Sequence, residues 1–220
     1  MYQPIFISGI GTGIGKTIIA AILTEALEAD YWKPVQAGFA NGTDSLQVKE
    51  LINNTTTVIH PEVYKFALAA SPHIAAREEN IKIDLNKIYE AYTRLSSFLP
   101  GAQAQKRHLI IEGAGGMMVP LNENEFVIDL VEKLNAKLIL VSRNYLGSIN
   151  HSLLTALACK QRNLDVAGWI FNDQYMHYED EIAEWTGYPK IASIRFAPEI
   201  NKDFIKQQAL LLKDALQEIV

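Results

Sequence analysis

Between Gly9 and Thr17 the chain reads Gly9-Ile10-Gly11-Thr12-Gly13-Ile14-Gly15-Lys16-Thr17, alternate glycines closing on a lysine and a threonine. That combination can hold a polyphosphate. Glycines let backbone N–H groups converge on an anion without side-chain clashes. A helix beginning at Lys16 adds the positive end of its dipole. Lys16 supplies a mobile charge toward the β and γ phosphates, and the Thr17 hydroxyl is placed to ligate Mg²⁺. The spacing departs from the usual phosphate loop, which has four residues between its glycines. Ile10 stands where the first glycine is expected, and Gly9 lies one residue earlier. A dinucleotide fingerprint through Gly9 and Gly11 fits less well, because its last glycine position falls on Ile14.

Other residues carry chemistry only if the fold brings them to this loop. Glu112 closes the apolar run Leu109–Ile111 and precedes Gly113-Ala114-Gly115-Gly116. A carboxylate at the carboxyl end of a parallel strand sits at the mouth of the sheet, where it can hold Mg²⁺. Lys33, in Lys33-Pro34-Val35-Gln36-Ala37-Gly38, reads equally as a surface lysine at a strand end and as a partner for a γ-phosphate or carbamate. Asp44 reads as a second metal carboxylate or as the first residue of a helix capped by Thr43. Asn172-Asp173 reads as a base-reading amide or as turn chemistry. The five histidines show no metal-ligand spacing. Ser8 and Ser71 lack a nucleophile-elbow context. Cys159, the single cysteine, lies inside a helical pattern and reads as a small core residue.

These residues need elements to position them. Ile5–Ile7, Leu109–Ile111, Leu138–Val141, Val166–Phe171 and Ile191–Ile194 read as buried strands. Helical periodicity marks Lys16 to Ala29, Asp84–Leu99, Phe126–Leu134, Ser148–Gln161 and Asp203–Ile219, with a further helix near Asp44–Ile52. In the last long helix Ile205, Ala209, Leu212, Leu216 and Ile219 form one apolar stripe. Strands apolar on both faces and separated by helices predict an α/β fold: one mostly parallel sheet with helices on both faces, of the P-loop NTPase kind. The least regular stretch is Ala37 to Arg77.

The bulk properties agree. A chain of 220 residues, 49% hydrophobic and 20% charged, predicts one domain spanning residues 1–220 with its own core. A net charge of −5 argues against nucleic-acid and anionic-membrane partners but leaves room for a local anion site. One cysteine excludes an internal disulfide framework. The amino terminus lacks the basic region of a signal peptide. The run Ile18–Leu23 is far shorter than the roughly 20 residues of a membrane span, so a cytoplasmic location is expected.

Taken in order, the phosphate loop, Lys33-Pro34-Val35, Asp44, Ser71-Pro72-His73, Glu112-Gly113-Ala114-Gly115-Gly116, Leu146-Gly147-Ser148-Ile149-Asn150-His151 and Asn172-Asp173 resemble the dethiobiotin synthetase family across residues 3–200. The unusual loop spacing is that family's own variant. The resemblance implies a homodimeric enzyme of biotin synthesis that converts 7,8-diaminononanoate, CO₂ (or bicarbonate) and ATP, with Mg²⁺, into dethiobiotin, ADP and phosphate. Carried over by position, Lys16, Lys33 and Thr12 would act at the reacting atoms. Gly13, Ile14, Gly15, Lys16, Thr17 and Ile18 would hold the nucleotide, together with Glu112, Gly113, Gly115 and Gly116. Asn172 would read the adenine. Thr17, Asp44 and Glu112 would hold the metal. Lys33, Ala37 and the turn Gly147, Ser148, Ile149 and Asn150 would meet the substrate, the turn reaching it from the neighbouring subunit. Gly13 stands where the family often has glutamate, and Ala37 where it has serine. Tyr175 and Tyr178 are candidates for a substrate-facing tyrosine. A partitioning or septum-site ATPase is the alternative on the same fold. Those proteins usually carry an extra lysine early in the loop, where this chain has Ser8-Gly9-Ile10-Gly11. A non-catalytic nucleotide-binding module is the third reading, and it has no need of Lys33 beside two carboxylates.

Overall fold

A computed structural model of the chain describes residues 3–97, 107–173, 176–217 and 219. Its main sheet has seven strands: β1 (Ile5–Gly9), β2 (Asp30–Trp32), β4 (Ile59–His60), β6 (Leu109–Glu112), β7 (Lys137–Arg143), β8 (Val166–Asn172) and β9 (Lys190–Ile194). Across the sheet they run β4-β2-β6-β1-β7-β8-β9, and every pairing is parallel. Parallel strands need crossover connections, and helices supply them. These are α1 (Lys16–Leu27), α2 (Asp44–Leu51), α3 (Pro72–Glu78), α4 (Leu85–Ser97), α5 (Val127–Lys133), α6 (Ser148–Gln161), α7 (Glu179–Thr186) and α8 (Lys202–Gln217).

Alternation along the strands explains the two-sided core. Phe6, Ile111, Leu138, Leu140 and Phe171 point into one apolar cluster. Their neighbours Ile5, Ile7, Ile110, Ile139 and Ile170 point into the other, where α1 contributes Ile19, Ile22 and Leu23. The stripe of α8 is buried at Ile205, Ala209, Leu212 and Leu216 and packs in this second cluster. Cys159 is a buried core residue of α6. Thr43 caps α2 as expected, its Oγ1 accepting the Leu46 N–H at 3.2 Å.

The expected strands and helices form, with shifts at their ends. Besides the expected helix, which forms as α2, the region expected to be irregular holds β4, α3 and β5 (Tyr64–Phe66), the last paired with β3 (Val35–Ala37) in a second, two-stranded parallel sheet. Strands of two or three residues are too short to show a period in the sequence. Helix α7 was also unexpected; its eight residues begin with Glu179, Asp180 and Glu181, which favour a helix N-terminus. The far end of the expected helix Asp84–Leu99, beyond residue 97, lies outside the described residues. Among the described residues, no helix is long and apolar enough to cross a membrane.

Candidate active site

β1 lies at the centre of the sheet. Its chain end turns through the glycine loop into α1, whose first residue is Lys16. Gly15 is the loop's tightest point. Its φ is +89°, in the left-handed region, and an added Cβ would lie 1.6 Å from the Asn172 side-chain nitrogen. Asn172, at the end of β8, donates from Nδ2 to the Ile14 carbonyl at 3.0 Å, so it clamps the loop from behind. Gly9 lets β1 approach β7, since a Cβ there would meet the Val141 carbonyl oxygen at 2.2 Å.

Beside the loop opens a cavity of about 710 Å³. Thr12, Gly13, Gly15, Lys16, Thr17 and Ile18 line one wall; Lys33, Ala37, Asp44, Glu112 and Gly115 line the others. The topology makes this meeting possible, because β2, β6 and β1 lie side by side and all point their carboxyl ends at the same edge. Lys33 follows β2, Glu112 ends β6, and Asp44 opens α2.

The charged groups form one network. The Lys33 ammonium is 2.7 Å from Asp44 Oδ2 and 3.1 Å from Glu112 Oε1. Lys33 is 4% exposed and Glu112 1%. Glu112 Oε1 also accepts from Thr17 Oγ1 at 3.0 Å, and its Oε2 accepts from the Tyr31 hydroxyl at 2.8 Å. Lys16 Nζ donates to the Gly11 carbonyl at 2.6 Å. Burial pushes the Lys16 ammonium down to about 8; Glu112 and Asp44 pull it back up, while Lys33 adds to the fall. Burial also acts to lower Lys33, but Glu112 and Asp44 outweigh it, so its pKa stands above the usual lysine value. Lys33 therefore stays a cation at neutral pH. Lys33 and Asp44, each left open between two readings by the sequence, both belong to the cavity, and Asp44 begins its helix as well.

The donor set is two carboxylates and a hydroxyl, all oxygen, which suits a hard divalent ion. Among the described residues no group of three or more His, Cys, Asp or Glu forms a metal cage. Mg²⁺ takes one or two carboxylates and completes its shell with phosphate oxygens and water, so two carboxylates and a hydroxyl fit it as protein ligands.

Several expected residues lie elsewhere. Ile14 is buried and lines a second cavity of about 190 Å³, which also touches Gly13, Gly15, Ile18, Asn172 and Phe196. Gly113 and Gly116 support the site from outside the main cavity, Gly113 packing on the Phe6 ring and Gly116 on the Gly9 carbonyl. Gly147, Ser148, Ile149 and Asn150 open α6 and do not line the main cavity of their own chain. The Ser148 N–H donates to Tyr145 O at 2.9 Å, and its hydroxyl is 2.7 Å from the Tyr178 hydroxyl. Ser148 is therefore a brace within this turn. Tyr178 is the second half of that brace, and Tyr175 lies outside the described residues. An added Cβ at Gly13 would meet open space, so the departure there leaves no packing defect.

Two further residues of the site, Tyr31 and Gln36, carry no motif that would mark them. Tyr31 is a buried residue of β2 whose hydroxyl meets Glu112, the carboxylate that Lys33 also reaches. Gln36 lines the cavity, and its Oε1 accepts the Asp44 N–H at 3.4 Å, bracing the start of α2.

A family model described as an AAA domain matches residues 3–203. The chain is 44% identical over 210 residues to an ATP-dependent dethiobiotin synthetase of Cytophaga hutchinsonii, covering 95% of this chain and 96% of that one. It is 40% identical to the corresponding enzyme of Christiangramia forsetii over the full length of both. Among solved structures it resembles the cell division ATPase MinD of Pyrococcus furiosus with a TM-score of 0.64, at 14% identity, over 99% of this chain and 100% of that one. A MinD from Pyrococcus horikoshii solved with Mg-ADP gives 0.61 at 18% identity, over 97% and 90%. At such identities the structural likeness concerns the fold alone, which is that of the P-loop ATPases.

Proposed function

From the premise that this chain belongs to the ATP-dependent dethiobiotin synthetases, ligases of biotin synthesis, we propose that it closes the ureido ring of dethiobiotin from 7,8-diaminononanoate, CO₂ and ATP. Residues 1–220 would work as one nucleotide-binding unit. An amine of the substrate adds to CO₂ and loses a proton, giving a carbamate. A carbamate oxygen attacks the γ-phosphorus, ADP leaves, and a carbamic–phosphoric anhydride remains. The second amine attacks the anhydride carbonyl, phosphate departs, and the ring is closed.

Such chemistry needs charge neutralisation and alignment more than a protein nucleophile. Lys16 and the loop N–H groups hold the phosphates, with Thr12 beside the transferred group. Lys33 lies between the carbamate and the γ-phosphate, keeping the two anions together. Thr17, Asp44 and Glu112 would hold Mg²⁺, which supplies further positive charge at the phosphates. Asn172 reads the adenine from its place behind the loop, using whatever hydrogen-bonding capacity the Ile14 carbonyl leaves. The carboxylate of the substrate is met by the α6 turn of a second copy, Gly147 to Asn150. Exposed Leu154 and Leu157 on α6, with Leu146 just before it, suit a homodimer contact at that face.

One observation carries this reading: a buried lysine, Lys33, bridges two carboxylates in the cavity that Lys16 and Thr17 also line. A simple nucleotide binder has no need of that second cation, and a switch ATPase usually carries its extra lysine early in the loop, where this chain has Ser8-Gly9-Ile10-Gly11. The test is phosphate release from ATP and Mg²⁺ with bicarbonate present. Release that depends on diaminononanoate, with dethiobiotin formed in equal amount, supports the proposal. Release indifferent to the diamine and stimulated by DNA or lipid rejects it.

A further inference from the structure

The two oxygens of Glu112 have different partners. Oε1 faces the cavity and accepts from Thr17 Oγ1 at 3.0 Å and Lys33 Nζ at 3.1 Å. Oε2 turns away and accepts the Tyr31 hydroxyl at 2.8 Å. Tyr31 is fully buried in the apolar cluster on the α1 side of the sheet. Its strand pairs it with Ile110, two residues before Glu112, so the phenol reaches along one face of the sheet to the carboxylate. Burial, and then the charge of Glu112, hold this phenol well above its ordinary pKa, so it remains a proton donor throughout the neutral range.

We propose that Tyr31 is a positioning residue: it ties back one oxygen of Glu112, presents the other singly to the cavity, and so biases the site toward Mg²⁺ over Ca²⁺. The inference rests on the reading of Glu112 as a metal-holding carboxylate. Mg²⁺ is small and takes carboxylates through one oxygen in near-ideal octahedral geometry. Ca²⁺ accepts more ligands and commonly takes both oxygens of one carboxylate. A glutamate with Oε2 engaged by a rigid buried phenol is pre-set for the first arrangement and hindered from the second. Groups that hydrogen-bond a metal-holding side chain typically change metal affinity by about 10–100-fold when removed.

Tyr31→Phe keeps the ring and removes the hydroxyl. The experiment titrates Mn²⁺ into the full-length protein with ADP, following free Mn²⁺ by electron paramagnetic resonance, and then displaces it with Mg²⁺ or Ca²⁺. In the variant, Mg²⁺ is expected to compete about tenfold less well. Ca²⁺ should lose only a small part of that, so the ratio between the two ions narrows. ADP affinity without metal should match wild type. Equal weakening of both ions, or no change in either, overturns the proposal. Glu112→Gln separates the two levels: if it leaves Mn²⁺ binding intact, the metal reading of Glu112 fails. If it weakens Mn²⁺ while Tyr31→Phe matches wild type, only the Tyr31 role fails. Should Tyr31→Phe not fold, Tyr31→Met, which fills apolar space without the hydroxyl, takes its place with the same narrowing expected.

Discussion

Replacing Gly15 by alanine puts a methyl group 1.6 Å from the Asn172 side-chain nitrogen, at a backbone φ of +89°. Two costs follow. The left-handed conformation costs an alanine about 1–2 kcal/mol. The Asn172 amide must also leave its 3.0 Å bond to Ile14 O, losing about 1 kcal/mol. Gly15→Ala should therefore destabilise the protein by about 2–3 kcal/mol. Asn172→Ala alone removes only the hydrogen bond, about 1 kcal/mol. In the double variant the backbone strain remains, but the bond is lost once rather than twice. Its total should then be about 2–3 kcal/mol, roughly 1 kcal/mol less than the sum of the single effects. The assay is equilibrium urea unfolding of the four proteins, analysed with a common slope. Additivity within about 0.5 kcal/mol would refute the reasoning, because it would mean the amide yields to the methyl at no cost. The same Asn172→Ala protein separates two roles. If Asn172 only clamps the loop, ADP and GDP affinities fall together; if it also reads the base, ADP falls more.

Lys33→Met leaves Asp44 and Glu112 facing each other without their cation. Loss of a buried partner costs about 3–5 kcal/mol, and Asp44 is partly exposed, so a stability loss near the lower limit is expected by urea unfolding, with diamine-dependent turnover falling at least about 100-fold. The Lys16 ammonium, lowered to about 8 chiefly by burial, predicts a pH-dependent grip on phosphate. Below pH 8 it is already charged. Above pH 8 a bound polyphosphate must recharge it, so metal-free ADP should bind more weakly as pH rises, with proton uptake measurable by calorimetry in two buffers. No uptake at pH above 8 would contradict the assignment. Cys159 is fully buried, and burial pushes its thiol up to about 12, so a thiolate reagent at pH 8 should label it only after denaturation.

What the sequence disclosed depended on how local each signal was. The run Ile5 to Thr17 carries strand, turn and helix start within thirteen residues, and the α8 stripe repeats over four turns; both were legible. Lys33 was not decidable alone, because its meaning comes from Glu112, 79 residues away, and from Asp44 in another element. Tyr31 was invisible for the same reason: its hydroxyl meets a carboxylate 81 residues distant, while its ring satisfies every local test for a core residue. The short strands β3, β4 and β5 were missed because two or three residues cannot express a period of two. Asn172 lies where the motif order placed it, but its clamp on Ile14 depends on how closely β8 approaches the loop.

The sheet order explains why so much chemistry gathers at one edge of an acidic chain. From β1 the connections build outward to β2, then return to β6 beside β1, and only afterwards cross to β7 on the other flank. The loop after β1 therefore lies at the point where the winding changes direction, and the helices on either side diverge there to leave a crevice. Backbone N–H groups and the α1 N-terminus supply positive potential to that crevice at no cost in formal charge. Lys16 and Lys33 add two cations, and Lys33 bridges the carboxylates of Asp44 and Glu112. A net charge of −5 spread over the chain acts against polyanions in general, whereas the positive groups are concentrated at this one crevice. On this argument, adding surface lysines until the net charge is positive should raise nonspecific polyanion binding and leave metal-free ADP affinity nearly unchanged, because that affinity is set by groups within the crevice.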